Sequence, residues 1–376
     1  MLALEPRVPA VEQIVLAAVE LIVANGIAAS DITILQTHSE SLLREDPRRL
    51  LPENLRNAVV LLAHHPENRA DLGYLGADDQ DQPIYINRQV LDADIVVPIS
   101  CAPTQRDLLY GGVASLLYPT FADSVAQQRC RAARTVPWEV DPRSREIQAA
   151  QFTAAKVRQL QKHRASAAAN PKISPIRQDE ADHVAWLLGV LLCIQVVPGP
   201  DGSVLHVLAG QIEAVEGRST ELTRAAWQCP AHAPAELVVA AITGADGQQV
   251  WDNIGRALAA ADPLVKDGGA IAICSELAEP PGPAMRSIQS AESPEQLLRM
   301  LRKFGTEDVP AARQWLATSG RAQIYLLSSL SELQTEQVGA SYVADGNEIA
   351  RLIERAGSVT ILPDAQYALP LLTETE

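Results

Sequence analysis

A chain of 376 residues exceeds what one ordinary hydrophobic core organises, so two domains are expected. Hydrophobic residues make up 47% and charged residues 20%, which excludes an intrinsically disordered chain. The formal net charge of -15 argues against nucleic acid and anionic membrane as partners, since both need a basic surface. No apolar run reaches the length of a bilayer-spanning helix, and the N-terminus lacks a basic stretch followed by an apolar one. Five scattered cysteines, with no CxxC and no HExxH, suggest reduced thiols in the cytoplasm and no closed zinc site.

In chain order, the stretch from Val11 to Asn25 sets Ile14, Val15, Ala18, Leu21 and Ile22 on one helical stripe and ends at Gly26, a natural stop. Strands are expected at Ile32 to Leu35, Asn57 to Ala63 and Asp94 to Ile99. Their alternation with helical or polar segments argues for parallel βαβ units. From Arg143 to Ala169 the chain is rich in Gln, Arg, Lys and Ala and reads as a solvated helix. An apolar segment from Trp186 to Val197, a turn at Pro198 to Gly202 and a strand at Val204 to Leu208 follow. A second α/β unit opens near Glu236, with strands at Leu237 to Ile242, Ala270 to Cys274, Ile324 to Ser328 and Val359 to Leu362, and a helix at Val250 to Ala260. Gly268-Gly269 reads as a turn entering a strand. The fold class is therefore α/β: two α/β domains with mainly parallel sheets and an interdomain cleft. The polar stretch from Gly217 to Cys229 marks the boundary.

The segment from Leu91 to Phe121 carries the most information. An apolar strand runs into a polar loop, and the pair Gly111-Gly112 then opens a new element. This layout resembles the nickel-dependent lactate racemase family, whose members carry Pro-His, a spacer, Gly-aromatic-Ser-Gly-Gly, one residue and Lys. Here Pro103-Thr104 stands at the Pro-His, Tyr110 just before the glycine pair, and Ala114 at the lysine. The run from Ile32 to His38 is similar to the family strand leading into Gly-Thr-His-Arg, and His38 matches its catalytic histidine. His64-His65-Pro66, Leu75-Gly76, Asn87-Arg88, Asn170-Pro171 with Arg177, and Ala209-Gly210-Gln211 stand at further family signposts. Asn253-Ile254-Gly255-Arg256 occupies the place of Gln-x-x-Lys, a pair that holds the substrate. Arg7 stands at the arginine of a cofactor-binding Asp-x-Thr-Arg-Pro motif, without the aspartate.

The resemblance implies a racemase or epimerase of a small 2-hydroxy acid, working by reversible hydride transfer to a nickel pincer nucleotide. It also implies that residues 357–376 return to a first domain of 1–222, leaving 223–356 as a smaller second domain. In the family a histidine on each side of the substrate moves the hydroxyl proton, a task suited to a pKa near neutrality. His38 retains one base, while Thr104 cannot replace the other. Ala114 cannot form the thio-linkage of the family lysine, so any bound nucleotide would be held noncovalently, with Arg7, Gly111 and Gly112 as its contacts. The family's nickel-binding histidine falls at or beside Cys130, whose thiolate suits nickel as a soft ligand, although a thiol without metal is the favoured reading.

Each candidate has a plainer reading beside this one. His38 is either a base at a strand terminus or a loop histidine bonded to backbone. Arg256 either forks onto a carboxylate or faces solvent. His64-His65 is a poor metal pair, because neighbours on a strand point to opposite faces. The expected partner is a small 2-hydroxy acid or other carboxylate, held in the cleft between the domains. Two competing readings remain: a catalytically inactive or repurposed member that binds a small carboxylate or nucleotide, and a different α/β enzyme using Cys130 as nucleophile.

Overall fold

The computed structural model describes residues 1–6, 8–37, 46–78, 81–102, 113–133, 178–290, 300–301, 306 and 308–372. The chain divides into two compact units: of the described residues, those up to Gln127 and 178–226 fall in the first, and 128–133 with Trp227 onward in the second. Among the described residues no helix is long and apolar enough to cross a membrane.

The first unit is built on a six-stranded sheet ordered β3-β2-β1-β6-β7-β8. Its strands are β1 (Leu2–Leu4), β2 (Thr33–Thr37), β3 (Val60–His64), β6 (Val97–Cys101), β7 (Leu192–Pro198) and β8 (Val204–Gln211). Strands β4 (Leu72–Ala77) and β5 (Pro83–Asn87) form a separate antiparallel hairpin. All ladders of the large sheet are parallel except β7 with β8. Helix α1 (Val11–Ala24) covers one face, packing Ile14, Val15 and Val19 onto Leu2, Leu4, Ile34, Ile99 and Val196. The buried stripe is rotated from the expected one: Val19 is inside and Leu21 is 66% exposed.

Three expected boundaries shift. Asn57 and Ala58 close helix α2 (Glu53–Ala58), so the strand begins at Val60. Val97, rather than Asp94, begins β6. The apolar run from Trp186 is split between the end of a helix (Gln178–Leu187) and β7, because Gly189 turns the chain at φ +64°.

The expected linker is a helix. Ile212–Trp227 runs sixteen residues and buries Val215, Ser219 and Thr223 on one stripe. Spacing of four residues places these on one face, but two of the three are hydroxylated, so the stripe carries little hydrophobic signal. The chain changes unit at the end of this helix.

The second unit holds a five-stranded, fully parallel sheet ordered β13-β12-β11-β10-β14. Its strands are β10 (Ala235–Ala241), β11 (Val265–Cys274), β12 (Gln323–Leu327), β13 (Ser341–Val343) and β14 (Val359–Leu362). β10 is apolar on both faces, as a central parallel strand must be. Val238 and Ala240 join the larger core, and Leu237 and Val239 the smaller one. The helices Trp251–Ala261 and Val309–Ser319 cover the larger core, and Gly255 lets them approach: a Cβ there would lie 2.9 Å from the Ala311 Cα. Gly268-Gly269 lies inside β11 and not before it. The pair forms a bulge opposite Glu236, with Gly268 at φ +77° and no room for a Cβ at Gly269.

Residues 359–372 stay with this unit and do not return to the first, as the sequence reading expected. β14 pairs along β10 from Leu237↔Val359 to Ala240↔Leu362, and β15 (Leu369–Leu372) pairs with β9 (Gln228–Ala231). The apolar edge of β10 accounts for this: left open, it would expose a row of unpaired backbone groups.

Candidate functional site

Both large sheets start from a central strand, grow to one side and then cross back. The switch points fall between β1 and β6 in the first unit and between β10 and β14 in the second. Ligands of open α/β sheets collect outside the carboxyl ends of strands at such points.

Among the described residues of the first unit, two of the protein's own carboxylates hold backbone N–H groups near this edge. Glu5, just past β1, accepts a hydrogen bond from the Cys101 backbone N–H through Oε2 at 2.6 Å, bridging the two strands. Helix α4 (Val113–Leu117) begins nearby in the chain, and its first N–H donates to Glu216 Oε1 at 2.7 Å. Burial raises the Glu216 carboxyl, Asp182 and Glu213 add to the rise, and the Val113 hydrogen bond opposes it. Ala114, the second residue of α4, is buried.

His64 ends β3 as an internal residue, 1% exposed. Its Nε2 lies 2.8 Å from the Ala122 carbonyl and its Nδ1 3.1 Å from Asn87 Nδ2. A neutral ring protonated at Nε2 satisfies both contacts, donating to the carbonyl and accepting from the amide. Phe121 packs edge-on against it at 5.7 Å. Burial lowers its pKa to about 4. His65 is exposed, so the two rings do not share a ligand. Among the described residues no group of three His, Cys, Asp or Glu side chains is placed to hold a metal ion.

Of the sequence-predicted residues, His38, Arg7, Gly111 and Gly112 lie outside the described residues. His38 follows β2 directly in the chain, and Arg7 follows β1 by three residues. Cys130 lies on the helix Ser124–Ala133. The four cysteines with described side chains are free thiols.

The second unit presents an open depression of about 540 Å³ at the carboxyl ends of β10, β11 and β12. Its floor is set by Gln249, which is 6% exposed. Gln249 Nε2 donates to the carbonyls of Ile242 (3.4 Å) and Gly244 (3.2 Å). Its Oε1 accepts from Ser275 Oγ (2.7 Å) and the Glu276 N–H (3.0 Å). One neutral amide thus ties the turn after β10 to the turn after β11. Gly244 turns at φ +98°. Thr243, Glu276, Ser328 and Ser329 complete the polar lining, and Ile242 and Leu327 the apolar part. Cys274 also lines it, but burial raises its pKa and keeps it a thiol.

The switch point itself is filled by the loop after β14. The Thr243 hydroxyl hydrogen-bonds Asp364, the Gln366 amide donates to the Thr243 carbonyl at 3.1 Å, and Tyr367 donates to Gln248 Oε1 at 3.0 Å. The depression therefore lies to one side of the switch point.

Asn253 and Arg256 sit on the helix that leaves this edge. Asn253 is buried, and its amide donates to the Gln248 carbonyl (2.8 Å) and to Gln248 Oε1 (3.0 Å), so its donors hold the turn. Arg256 pairs with Asp252 one helical turn back at 3.1 Å and is partly buried. Neither lines the depression. Sequence reading missed Gln249, Thr243, Glu276 and Ser328. Their only signal is a run of polar residues directly after each apolar strand.

Residues 6–104 match the family model for the lactate racemase N-terminal domain. Among solved structures, the lactate racemase apoprotein from Thermoanaerobacterium thermosaccharolyticum is similar over 98% of this chain and 85% of its own, with a TM-score of 0.70 at 14% identity. A Thermotoga maritima protein is similar over 99% of this chain and 93% of its own, with a TM-score of 0.63 at 14% identity. No curated protein matches the chain.

Proposed function

We propose that this chain, which belongs to the lactate racemase family through its N-terminal domain, is a small-molecule-binding member that has left the family's tethered nickel-nucleotide chemistry. The start of α4 carries the reading. The position of the family lysine is a buried alanine, Ala114, and the neighbouring N–H is taken by Glu216. A phosphate-bearing group at this helix start would have to displace that carboxylate and face Asp182 and Glu213 beside it. The described residues therefore do not fit a covalently held pincer nucleotide there. The ligand class is a small carboxylate or a nucleotide. Free thiols and the absence of a membrane-spanning helix among the described residues are in keeping with a cytoplasmic setting.

A second reading, a racemase or epimerase of a 2-hydroxy acid with a noncovalent nickel pincer nucleotide, draws on His38. This residue lies within the matched segment and directly after β2. Metal analysis of protein produced together with the cofactor-synthesis proteins separates the two. Negligible nickel is expected; close to one nickel per chain would overturn the proposal and restore the racemase.

A further inference from the structure

The depression in the second unit has a composition that selects its ligand. No Lys, Arg or His lines it, while Thr243, Ser275, Ser328, Ser329 and Glu276 do. A small acid placed there would meet a carboxylate and no compensating cation, a like-charge contact that disfavours its ionised form. Among the described residues no hydrogen bond or ion pair engages the Glu276 carboxylate, although its backbone N–H is fixed by Gln249 at 3.0 Å. The anchor is held while the acceptor remains available.

The position of Glu276 is equally informative. β10, the glycine-bearing turn at Gly244, the helix Trp251–Ala261 and the adjacent parallel β11 form one βαβ unit, and Glu276 stands just past the end of its second strand. A carboxylate at that place in a βαβ unit can accept hydrogen bonds from sugar hydroxyls. Two adjacent hydroxyls suit a carboxylate, which accepts on both oxygens. Ile242 and Leu327 offer apolar contact for a ring face, and about 540 Å³ falls within the usual range for small-molecule pockets.

We infer that this depression binds a ligand through a vicinal diol, with Glu276 accepting from both hydroxyls. The inference rests on the small-molecule-binding reading above and names the ligand chemistry for the second unit. The diol can come from the ribose of a nucleoside or from a free sugar.

The test is calorimetric titration of the full chain with adenosine, 2′-deoxyadenosine, D-ribose and L-lactate, repeated on Glu276→Gln. Adenosine or ribose should bind, and Glu276→Gln should weaken whichever binds by about tenfold or more, the loss of one or two charge-assisted hydrogen bonds. If adenosine binds, removal of its 2′-hydroxyl should weaken it by a similar factor. Adenosine well above ribose identifies a nucleoside site, and comparable binding a sugar site. Glu276 is exposed, so the variant should keep the wild-type melting temperature. Silence from both diols, equal binding of the deoxynucleoside, or an unchanged Glu276→Gln would overturn the inference. Lactate binding with both diols silent would leave the small-carboxylate reading standing and remove only the diol. Nickel in the purified protein would strike at the earlier reading and leave these titrations to be judged separately.

Discussion

The carboxyl edges of the two sheets share one plan and use it differently. In the first unit, ionisable groups stand where a ligand of an α/β sheet is expected: Glu5 bridges β1 and β6, and Glu216 takes the first N–H of α4. In the second unit, the loop after β14 fills the switch point and a neutral amide, Gln249, holds the neighbouring turns around an open depression. A charged side chain at an edge makes that edge sensitive to pH and to competing anions. An edge held by an amide keeps its shape across pH. Shared topology therefore does not fix what stands at such an edge; the side chains in the first turn after each strand decide it.

The largest expected effect comes from removing the amide. Gln249→Ala leaves buried partners on two turns unsatisfied and should destabilise the second unit by about 3–4 kcal/mol. Urea denaturation followed by tryptophan fluorescence reads this, since Trp251 and Trp315 are buried in that core. A loss below about 1 kcal/mol would show that the turns hold themselves, and the contrast between the edges would collapse.

Acid should act on the first unit. Unfolded, His64 takes up a proton near 6.5; folded, it does so only near 4. Between those values the unfolded state carries more protons, so stability rises with pH and is lost on acidification, by up to about 3 kcal/mol. Glu216 acts with the opposite sign. Its folded pKa is raised above 4.5, so its contribution is present at low pH and lost as pH rises through the folded value. Glu216→Gln keeps an acceptor for Val113 and removes the opposing charge, so the rise in stability with pH should steepen. A profile flat from pH 4 to 6.5 in that variant would remove His64 as the acid-sensitive group.

A smaller effect tests whether helix packing is independent of the edge. Gly255→Val forces a Cβ against Ala311 and should cost about 2 kcal/mol in the second unit, with the acid profile of the first unchanged. A change in that profile would mean that the two units do not respond separately.

Much of the fold was legible because long apolar strands carry their own signal. Val359 to Leu362 appears as written, the helix from Val250 is displaced by one residue, and β10 reads as a buried parallel strand. The helix Ile212–Trp227 was not legible, because a buried stripe of Val, Ser and Thr looks like a polar linker. The family resemblance was legible in the order of short motifs, and the match over residues 6–104 agrees with it. The candidate site was less so. Asn253 reads as a substrate contact, yet its amide is spent on Gln248, a partner five residues away whose position depends on the turn between them.

The sequence by itself determined the α/β class and a unit boundary within Gly217 to Cys229, since composition and strand hydrophobicity are local properties. Only the tertiary structure decided that the chain's last strands complete the second sheet, that Glu216 meets the start of α4 from 103 residues away, and that Gln249 joins two turns. Each of these is a pairing between distant parts of the chain. Burial and backbone hydrogen bonding select such pairings only once the sheets have formed.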